Sequence, residues 1–277
     1  GWHNYILGVL DNLTTKRRHQ LVNFSCVIGG DLPVGAGVSS SSSLICGVLK
    51  GISSLNSLNI SDEEIIQIAR EVEHEFIGVK GGIMDQFTII NGKENKLIFL
   101  DCSDLSHKYV KANFENYQVL LLNTNIKHNL SETSYNDRVL ECSEALEIIN
   151  RKKNKYKYLV DVPSEVVQNF KSEFQKHIFK RALYVIEEQK RVRDAYKSLL
   201  DKDMLSFGKL MYESHFGLKN LYEVSCKELD FLVEYSTKKS YVIGSRMMGG
   251  GFGGCVINLI DKDETEGYIK NISRDYQ

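Results

Sequence analysis

The chain has 277 residues, 42% of them hydrophobic, and its 35 basic and 36 acidic side chains leave a formal net charge of -1. Such a neutral chain offers no excess positive field to a nucleic-acid backbone or an anionic membrane, so neither partner is expected. No window approaches the roughly 20 apolar residues that a membrane span needs. The six cysteines are scattered singly, which favours a reducing, cytoplasmic environment.

The first hundred residues contain several recognisable elements. Apolar side chains at helical spacing predict a helix at the start of the sequence. The segment 21–30 is rich in β-branched and aromatic residues and predicts a strand. A Gly/Ser loop follows, and 44–55 has the spacing of a buried helix. Ser61 and Glu64 form a capping box, which predicts the start of the next helix.

The middle and end of the chain mix strands with long helices. Short strands separated by polar turns are predicted at 87–90, 96–100, 108–112 and 117–123, which suggests a hairpin-rich sheet. Beyond Asn125 the sequence is mainly helical, and 253–260 returns to a strand pattern. Strands and helices without regular βα alternation indicate the α+β fold class.

The Gly/Ser loop is a candidate anion site. Gly35 and Gly37 let the backbone approach a ligand, and the serines at 39–43 lie at a helix N-terminus with its unpaired N–H donors. Ala36 stands where a Walker A loop needs lysine, and Ser40 takes the last position of GxGxxG. A generic Gly/Ser loop is the alternative, but the serine cluster at a helix start favours phosphate.

Two carboxylates are candidates for the chemistry. Glu73 falls on the apolar face of its helix, where a charge needs a cation, a metal or the rim of a cleft. An ordinary salt bridge is an equal alternative, whereas nearby phosphates would make Mg²⁺ the natural partner. Asp85 follows Gly81 and Gly82 in an apolar setting and is a candidate base. Taken alone, such an Asp is more often a cap or turn residue.

A second glycine-rich stretch lies near the end of the chain. The sequence GGGFGG at 249–254 matches GxGxxG, but a strand pattern rather than a helix follows it. Nicotinamide binding is therefore disfavoured. A loop that closes over a ligand fits the stretch better, with a tight strand connection as the alternative.

In order and content these segments resemble the galactokinase family of the GHMP small-molecule kinases. The loop at 33–41 is similar to the second signature of the superfamily, and 244–255 is similar to the third. The central stretch through Tyr135 favours galactokinases over the related N-acetylgalactosamine kinases. Other similar segments are Glu73-His74, GGIMDQF around Asp85, 123–138, RALYVIEEQKRV from Arg181, and 214–230.

The resemblance implies a two-lobed α+β GHMP-kinase fold. Residues 1–112 would form an incomplete N-terminal mixed-sheet lobe carrying the ATP phosphate loop, and 113–277 a helix-rich C-terminal α+β lobe. The implied activity is transfer of the γ-phosphate of ATP, with Mg²⁺, to the anomeric hydroxyl of galactose. The expected protein is a cytoplasmic monomer that binds sugar and nucleotide.

The resemblance also assigns roles to individual residues. Mg²⁺ would be held by Ser41 and Glu73. Asp85 would be the catalytic residue, facing the sugar together with Gly82 and Tyr135. ATP would be bound by Trp2, Pro33, Gly35, Ala36, Gly37, Val38, Ser39, Ser40 and Ser41.

Several positions depart from the family pattern. Gly81 replaces a usual cysteine, Met248 a usual threonine, and Ser42 a common alanine. The first signature, similar to GRVNLIGEHTDYNGG, is absent, so we expect it to precede Gly1 in the complete protein. The resemblance also implies that the last strand of the family is cut after Gln277. Two alternatives stay open: a catalytically silent galactokinase-like sugar sensor, and a GHMP kinase for another substrate such as N-acetylgalactosamine.

Overall fold

The structure is a computed structural model of the chain. It describes residues 1–34, 37–112, 114–126 and 131–276, with only the backbone at 131–133. The chain divides into two compact units, Gly1–Lys111 and Ala112–Gln277. The expected lobe boundary, at Asn113, lies outside the described residues.

The first unit combines helices with one hairpin. Strands β1 and β2 pair antiparallel, with Leu97 opposite Val110. Short π-helical turns, Asn12–Lys16 and Val72–Ile77, follow directly on the first and third helices. The regular elements are α1 (His3–Asp11), α2 (Ser40–Leu55), α3 (Asp62–Glu71), α4 (Met84–Asn91), β1 (Lys96–Leu100) and β2 (His107–Lys111).

The core of the first unit fixes the helices around Glu73. Leu13, Ile45 and Leu49 are buried in a cluster that joins α1, α2 and α3. A smaller cluster packs Ile83 and Phe87 against α3. Each fully buried aliphatic side chain contributes ~2 kcal/mol to folding. The predicted capping box at the start of α3 is confirmed.

The second unit packs helices on an antiparallel sheet. The strand order is β3-β5-β4, and a glycine-rich loop at 249–254 joins β4 to β5. One core cluster contains Leu229, Val256 and Tyr268. The elements are β3 (Tyr117–Asn123), α5 (Ser131–Lys153), α6 (Ser164–Asn169), α7 (Lys176–Leu200), α8 (Met204–Gly217), α9 (Lys227–Thr237), β4 (Val242–Met247), β5 (Cys255–Asp261) and α10 (Thr265–Asp275), with short helical turns at Leu159–Asp161, Lys171–Glu173, Leu218–Tyr222 and Lys262–Glu264.

Most predicted elements are confirmed, and two are wrong. The segment 21–30 is irregular, because a strand needs a neighbour for its backbone groups and no described strand pairs with it. The predicted strand 87–90 is part of α4. A short apolar run is compatible with a strand or with a helix. The burial of Ile83 and Phe87, four residues apart, follows the helical period. The predicted hairpin sheet is correspondingly reduced to β1 and β2, since β3 pairs with β5.

The α+β fold class is confirmed by these elements. Within the described ranges, we find no helix with the length and apolar character required to traverse a bilayer.

Candidate active site

The serine-rich loop leads into the N-terminus of α2. Of the residues predicted to bind ATP here, Gly35 and Ala36 lie outside the described residues, whereas Pro33 is exposed and Val38 and Ser40 are half-buried. Gly37 and Ser39 both have left-handed backbone conformations, with φ of 73° and 56°. Such a conformation is uncommon for serine. The first N–H groups of a helix have no partner within the helix, so this end of α2 can accept an anion.

Glu73 lies on the π-helical turn that follows α3, and two buried side chains hold its carboxylate. Ser42 Oγ donates to Glu73 Oε1 at 2.6 Å, and Gln86 Nε2 donates to Glu73 Oε2 at 2.6 Å. Gln86 Nε2 also lies 3.4 Å from Ser42 Oγ, which closes a ring of three side chains. Ser42 and Gln86 are only 2% and 1% exposed. This Ser42–Glu73–Gln86 ring ties α2, the π-helical turn and α4 together.

The groups around Glu73 have opposing effects on its pKa. Burial raises the pKa of Glu73, and the neighbouring Asp85 carboxylate adds to the rise. The hydrogen bonds from Ser42 and Gln86 oppose that rise in pKa because they stabilise the ionised form. Further negative charge near Glu73 is therefore unfavourable, whereas a cation bound beside the carboxylate would be stabilised.

A tight turn at 78–83 brings Asp85 towards Glu73. Val79 N–H donates to the Glu73 carbonyl at 2.9 Å, and His74 Nε2 donates to the Gly81 carbonyl at 2.6 Å. Asp85 then falls in the first turn of α4, where a carboxylate is favoured by the helix dipole. The side chain of Asp85 is exposed, so it can contact a ligand.

Two further predicted residues of the first unit, Gly82 and Trp2, are exposed. Apart from Gly82 and its chain neighbours, no atom of the described residues lies within 4 Å of the position that a Cβ on Gly82 would take. Trp2 is 62% exposed beside the start of α1. Tyr5, on the same helix, packs against the core of the unit. A core role for Tyr5 and an accessible position for Trp2 are what the structure shows.

Tyr135 belongs to the second unit, where it lies against the glycine-rich loop. A Cβ on Gly250 would come within 3.1 Å of Tyr135 Cδ2. A Cβ on Gly251 would lie 2.2 Å from the Val224 carbonyl oxygen, so only glycine fits there. Phe252 N–H donates to that same carbonyl at 2.7 Å. The loop is thus held close to its own unit, with Tyr135 against it.

Sequence reasoning missed two members of the ring around Glu73. The resemblance assigned Ser41 and Glu73 to Mg²⁺ and gave Ser42 no role. In the structure the Ser42 hydroxyl donates to the Glu73 carboxylate, and Ser41 is half-buried one position earlier. Gln86 was not singled out at all. A signal was available, because Gln86 lies three residues after Ile83 and directly before Phe87, on the buried face of an apolar helix.

The donors around Glu73 suit a hard cation. Carboxylate, hydroxyl and amide oxygens are the ligand types of such ions. Gln86 Oε1 is buried without a hydrogen-bond partner within the described part of the chain, so one more oxygen has unused capacity. The residues described contain no cluster of three or more His, Cys, Asp or Glu that could enclose a metal by itself. The donor set therefore fits an ion that completes its coordination with phosphate oxygens.

Family models match both units of the chain. The model for the N-terminal domain of GHMP kinases matches residues 4–93. The model for the C-terminal domain of GHMP kinases matches residues 180–275. The class defined by fold and site is accordingly that of the GHMP kinases, which use ATP as the phosphoryl donor.

Individual relatives narrow this class. The chain is 38% identical to galactokinase from Clostridium tetani, over 100% of this chain and 70% of that protein. It is 40% identical to galactokinase from Thermotoga maritima, over 94% of this chain and 72% of that protein. The chain belongs to the galactokinase family.

Solved structures agree with the sequence relatives. Lactococcus lactis galactokinase complexed with galactose matches with a TM-score of 0.90 and 32% identity, over 100% of this chain and 71% of that one. Methanococcus jannaschii mevalonate kinase matches with a TM-score of 0.61 and 21% identity, over 98% of this chain and 71% of that one, which indicates the fold alone. The expected GHMP-kinase fold is thereby confirmed.

Proposed function

We propose that the protein is a galactokinase, which transfers the γ-phosphate of ATP to the anomeric hydroxyl of galactose and releases galactose 1-phosphate and ADP. Galactokinases that cover the chain at 38% and 40% identity support this activity. A galactose complex of a relative with a TM-score of 0.90 supports the same substrate.

The main structural support for this activity is the ring formed by Ser42, Glu73 and Gln86. It joins the anion-accepting end of α2 to the helix that bears Asp85. Phosphoryl transfer depends mainly on positioning and on stabilising charge, and it requires little covalent chemistry from the protein. A helix N-terminus, a metal-binding carboxylate and a second carboxylate for the acceptor hydroxyl are sufficient parts for that reaction.

Each part has a role in the proposed reaction. The loop at 33–41 binds the ATP phosphates through its backbone N–H groups and hydroxyls. Asp85 takes up the proton of the anomeric hydroxyl while that oxygen bonds to the γ-phosphorus. The bond from the γ-phosphorus to the bridging oxygen breaks, and ADP leaves with that oxygen. Exposure of Asp85 at the start of α4 leaves it accessible to the sugar.

Ser41 and Glu73 would hold Mg²⁺. When bound, the ion would neutralise part of the phosphate charge. The fit rests on the oxygen donors near Glu73 and on the unpartnered Gln86 Oε1. Glu73 contributes the formal charge, and Ser41 contributes a hydroxyl from the first turn of α2.

The remaining assignments complete the proposal. Gly82 leaves space for the sugar beside Asp85, since no described atom beyond its chain neighbours lies within 4 Å of the position of its Cβ. Tyr135 is proposed to contact the sugar on the strength of the family resemblance alone. Trp2 has the exposed ring needed to lie against adenine. We propose a monomer in the cytosol, in agreement with a small-molecule substrate that needs no partner chain.

A coupled assay of ADP release tests the activity. The protein as its gene encodes it is incubated with ATP, Mg²⁺ and, in turn, galactose, N-acetylgalactosamine, arabinose, mevalonate or no acceptor. We expect ADP release that depends on galactose and is weak with the other acceptors. Binding of galactose without any turnover would instead identify a sugar sensor, and preference for another acceptor would replace galactose as the substrate.

A further inference from the structure

The Ser42 hydroxyl lies in the first turn of α2. This hydroxyl is almost fully buried, with Ser42 2% exposed. A hydroxyl has one proton to donate, and that of Ser42 goes to Glu73 Oε1 at 2.6 Å. The Ser42 hydroxyl is therefore bonded to the carboxylate that is assigned to the metal.

Gln86 acts on the other oxygen of the same carboxylate. Its Nε2 lies 2.6 Å from Glu73 Oε2 and 3.4 Å from Ser42 Oγ. A carboxylate oxygen can only accept when ionised, so the amide nitrogen and not the amide oxygen must face Glu73. Both carboxylate oxygens are thus fixed by donors from two different helices, α2 and α4.

Fixing the carboxylate restricts side-chain motion without using up its binding capacity. A glutamate side chain has three rotatable bonds, and ordering it opposes ligand binding through lost entropy. Each carboxylate oxygen can accept two hydrogen bonds or ligands, so one acceptor direction on each remains after Ser42 and Gln86 have bonded. The ring orients Glu73 before any ligand arrives.

We propose that Ser42 and Gln86 are positioning residues that pre-orient the Glu73 carboxylate for the divalent cation of the ATP complex. The inference rests on the proposed function in so far as Glu73 binds that cation. Ser42 and Gln86 act through Glu73 and do not themselves contact the reacting atoms. Their contribution is to metal affinity, and nucleotide binding without metal does not depend on them.

The test compares Ser42→Ala and Gln86→Met with Ser53→Ala. Ser53 is a matched control, because it is also a buried serine of α2, and its hydroxyl donates to the Leu58 carbonyl at 2.7 Å, away from Glu73. Two quantities are measured for each protein: the KM for Mg²⁺ at saturating ATP and galactose, and the Kd for Mn²⁺ with a non-hydrolysable ATP analogue, from the free-Mn²⁺ electron paramagnetic resonance signal.

For Ser42→Ala we expect both metal constants to rise about 10-fold, close to the lower range for a hydrogen bond to a charged group. We expect kcat, the thermal midpoint and the Kd for the nucleotide analogue in EDTA to stay within about twofold or a few degrees of the unaltered protein. Gln86→Met should weaken metal binding in the same way, and Ser53→Ala should leave both metal constants unchanged. The double variant should weaken binding less than the product of the single effects, because both residues orient one group.

Metal constants of Ser42→Ala within twofold of the unaltered protein, or an equal rise in Ser53→Ala, would overturn the inference. The proposed function fails separately, when the unaltered protein shows no galactose-dependent turnover. In that case weaker Mn²⁺ binding by Ser42→Ala still supports the positioning role.

Discussion

Carboxylates are stabilised in opposite ways in the two units. In the first unit, Glu73 takes its two hydrogen bonds from neutral groups, the Ser42 hydroxyl and the Gln86 amide. In the second unit, Arg181 is 3% exposed at its side chain and lies 2.8 Å from both Glu141 and Glu223. The second set balances its charges internally, whereas the first leaves a negative charge for a ligand.

The pKa shifts express the same difference. Burial and the nearby Asp85 raise the pKa of Glu73. Lys180 and Arg181 lower the pKa of Glu223 to about 2. A carboxylate that is paired with cations of the protein, such as Glu223, stabilises the fold. A carboxylate that is held by neutral donors, such as Glu73, would be further stabilised by a bound cation.

The largest expected effect comes from Asp85, the carboxylate next to this uncompensated charge. We predict that Asp85→Asn lowers kcat for galactose by about 100-fold or more, because the amide cannot accept the hydroxyl proton. The Kd for the ATP analogue should change by less than about threefold. Steady-state kinetics and calorimetry measure the two quantities.

Asp62→Asn is the matched control for Asp85→Asn. Asp62 is exposed in the first turn of α3, where it pairs with Lys50 at 3.0 Å. An exposed ion pair contributes little, so this variant should keep full activity. Rapid turnover by Asp85→Asn would remove Asp85 from the mechanism.

A paired Glu→Gln experiment tests the comparison of the two carboxylates directly. The raised pKa of Glu73 means that the folded protein binds this proton more readily than the unfolded chain. Ionised Glu73 therefore destabilises the fold at neutral pH, and the penalty fades as pH falls through the folded pKa towards the ordinary value of 4.5. We predict that Glu73→Gln raises the thermal midpoint at pH 7 and that the gain disappears below about pH 4.5.

Glu223→Gln should show the opposite pattern. Its lowered pKa means that ionised Glu223 stabilises the fold above pH 4.5 and that this stabilisation is lost as pH falls towards about 2. The thermal midpoint of Glu223→Gln should therefore be lower at pH 7, and the difference should close in acid. Scanning calorimetry from pH 7 to pH 3 measures both variants. Equal signs for the two variants at pH 7 would contradict the comparison.

Local sequence signals predicted much of the fold but little of the contact geometry. The capping box at Ser61 and the strands β1, β2, β3 and β5 were readable because their determinants lie within a few residues. The structure of segment 21–30 could not be predicted in this way, because its strand pattern has no described strand to pair with. The helical period in α4 was obscured by the short apolar run around Phe87.

The sequence indicated which carboxylates belong to the candidate site, but it did not indicate which side chains hydrogen-bond to them. Glu73 and Asp85 were found from charge in apolar surroundings and from resemblance, and the structure places them close enough for Asp85 to affect the pKa of Glu73. Which serine meets Glu73 depends on the rotation of α2, about 100° per residue, and the sequence does not fix that rotation relative to another helix. Ser42 was consequently noted only as a departure.

The smallest expected effect concerns Gly81, beside Glu73. A Cβ there would lie 3.9 Å from Glu73 Oε2, an ordinary contact. We predict that Gly81→Ala stabilises the protein by about 0.5 kcal/mol through reduced freedom of the unfolded chain. Denaturant unfolding measures the change. Gly251→Ala is the control and should destabilise, since its Cβ would lie 2.2 Å from the Val224 carbonyl oxygen.

The most direct test of galactokinase activity is the identity of the phosphorylated product. The unaltered protein is incubated with ATP, Mg²⁺ and galactose, and ³¹P nuclear magnetic resonance follows the phosphorus signals. We predict an anomeric phosphate, galactose 1-phosphate, formed in equal amount to ADP. Phosphate on another hydroxyl, ADP formed with free phosphate alone, or no reaction would contradict it.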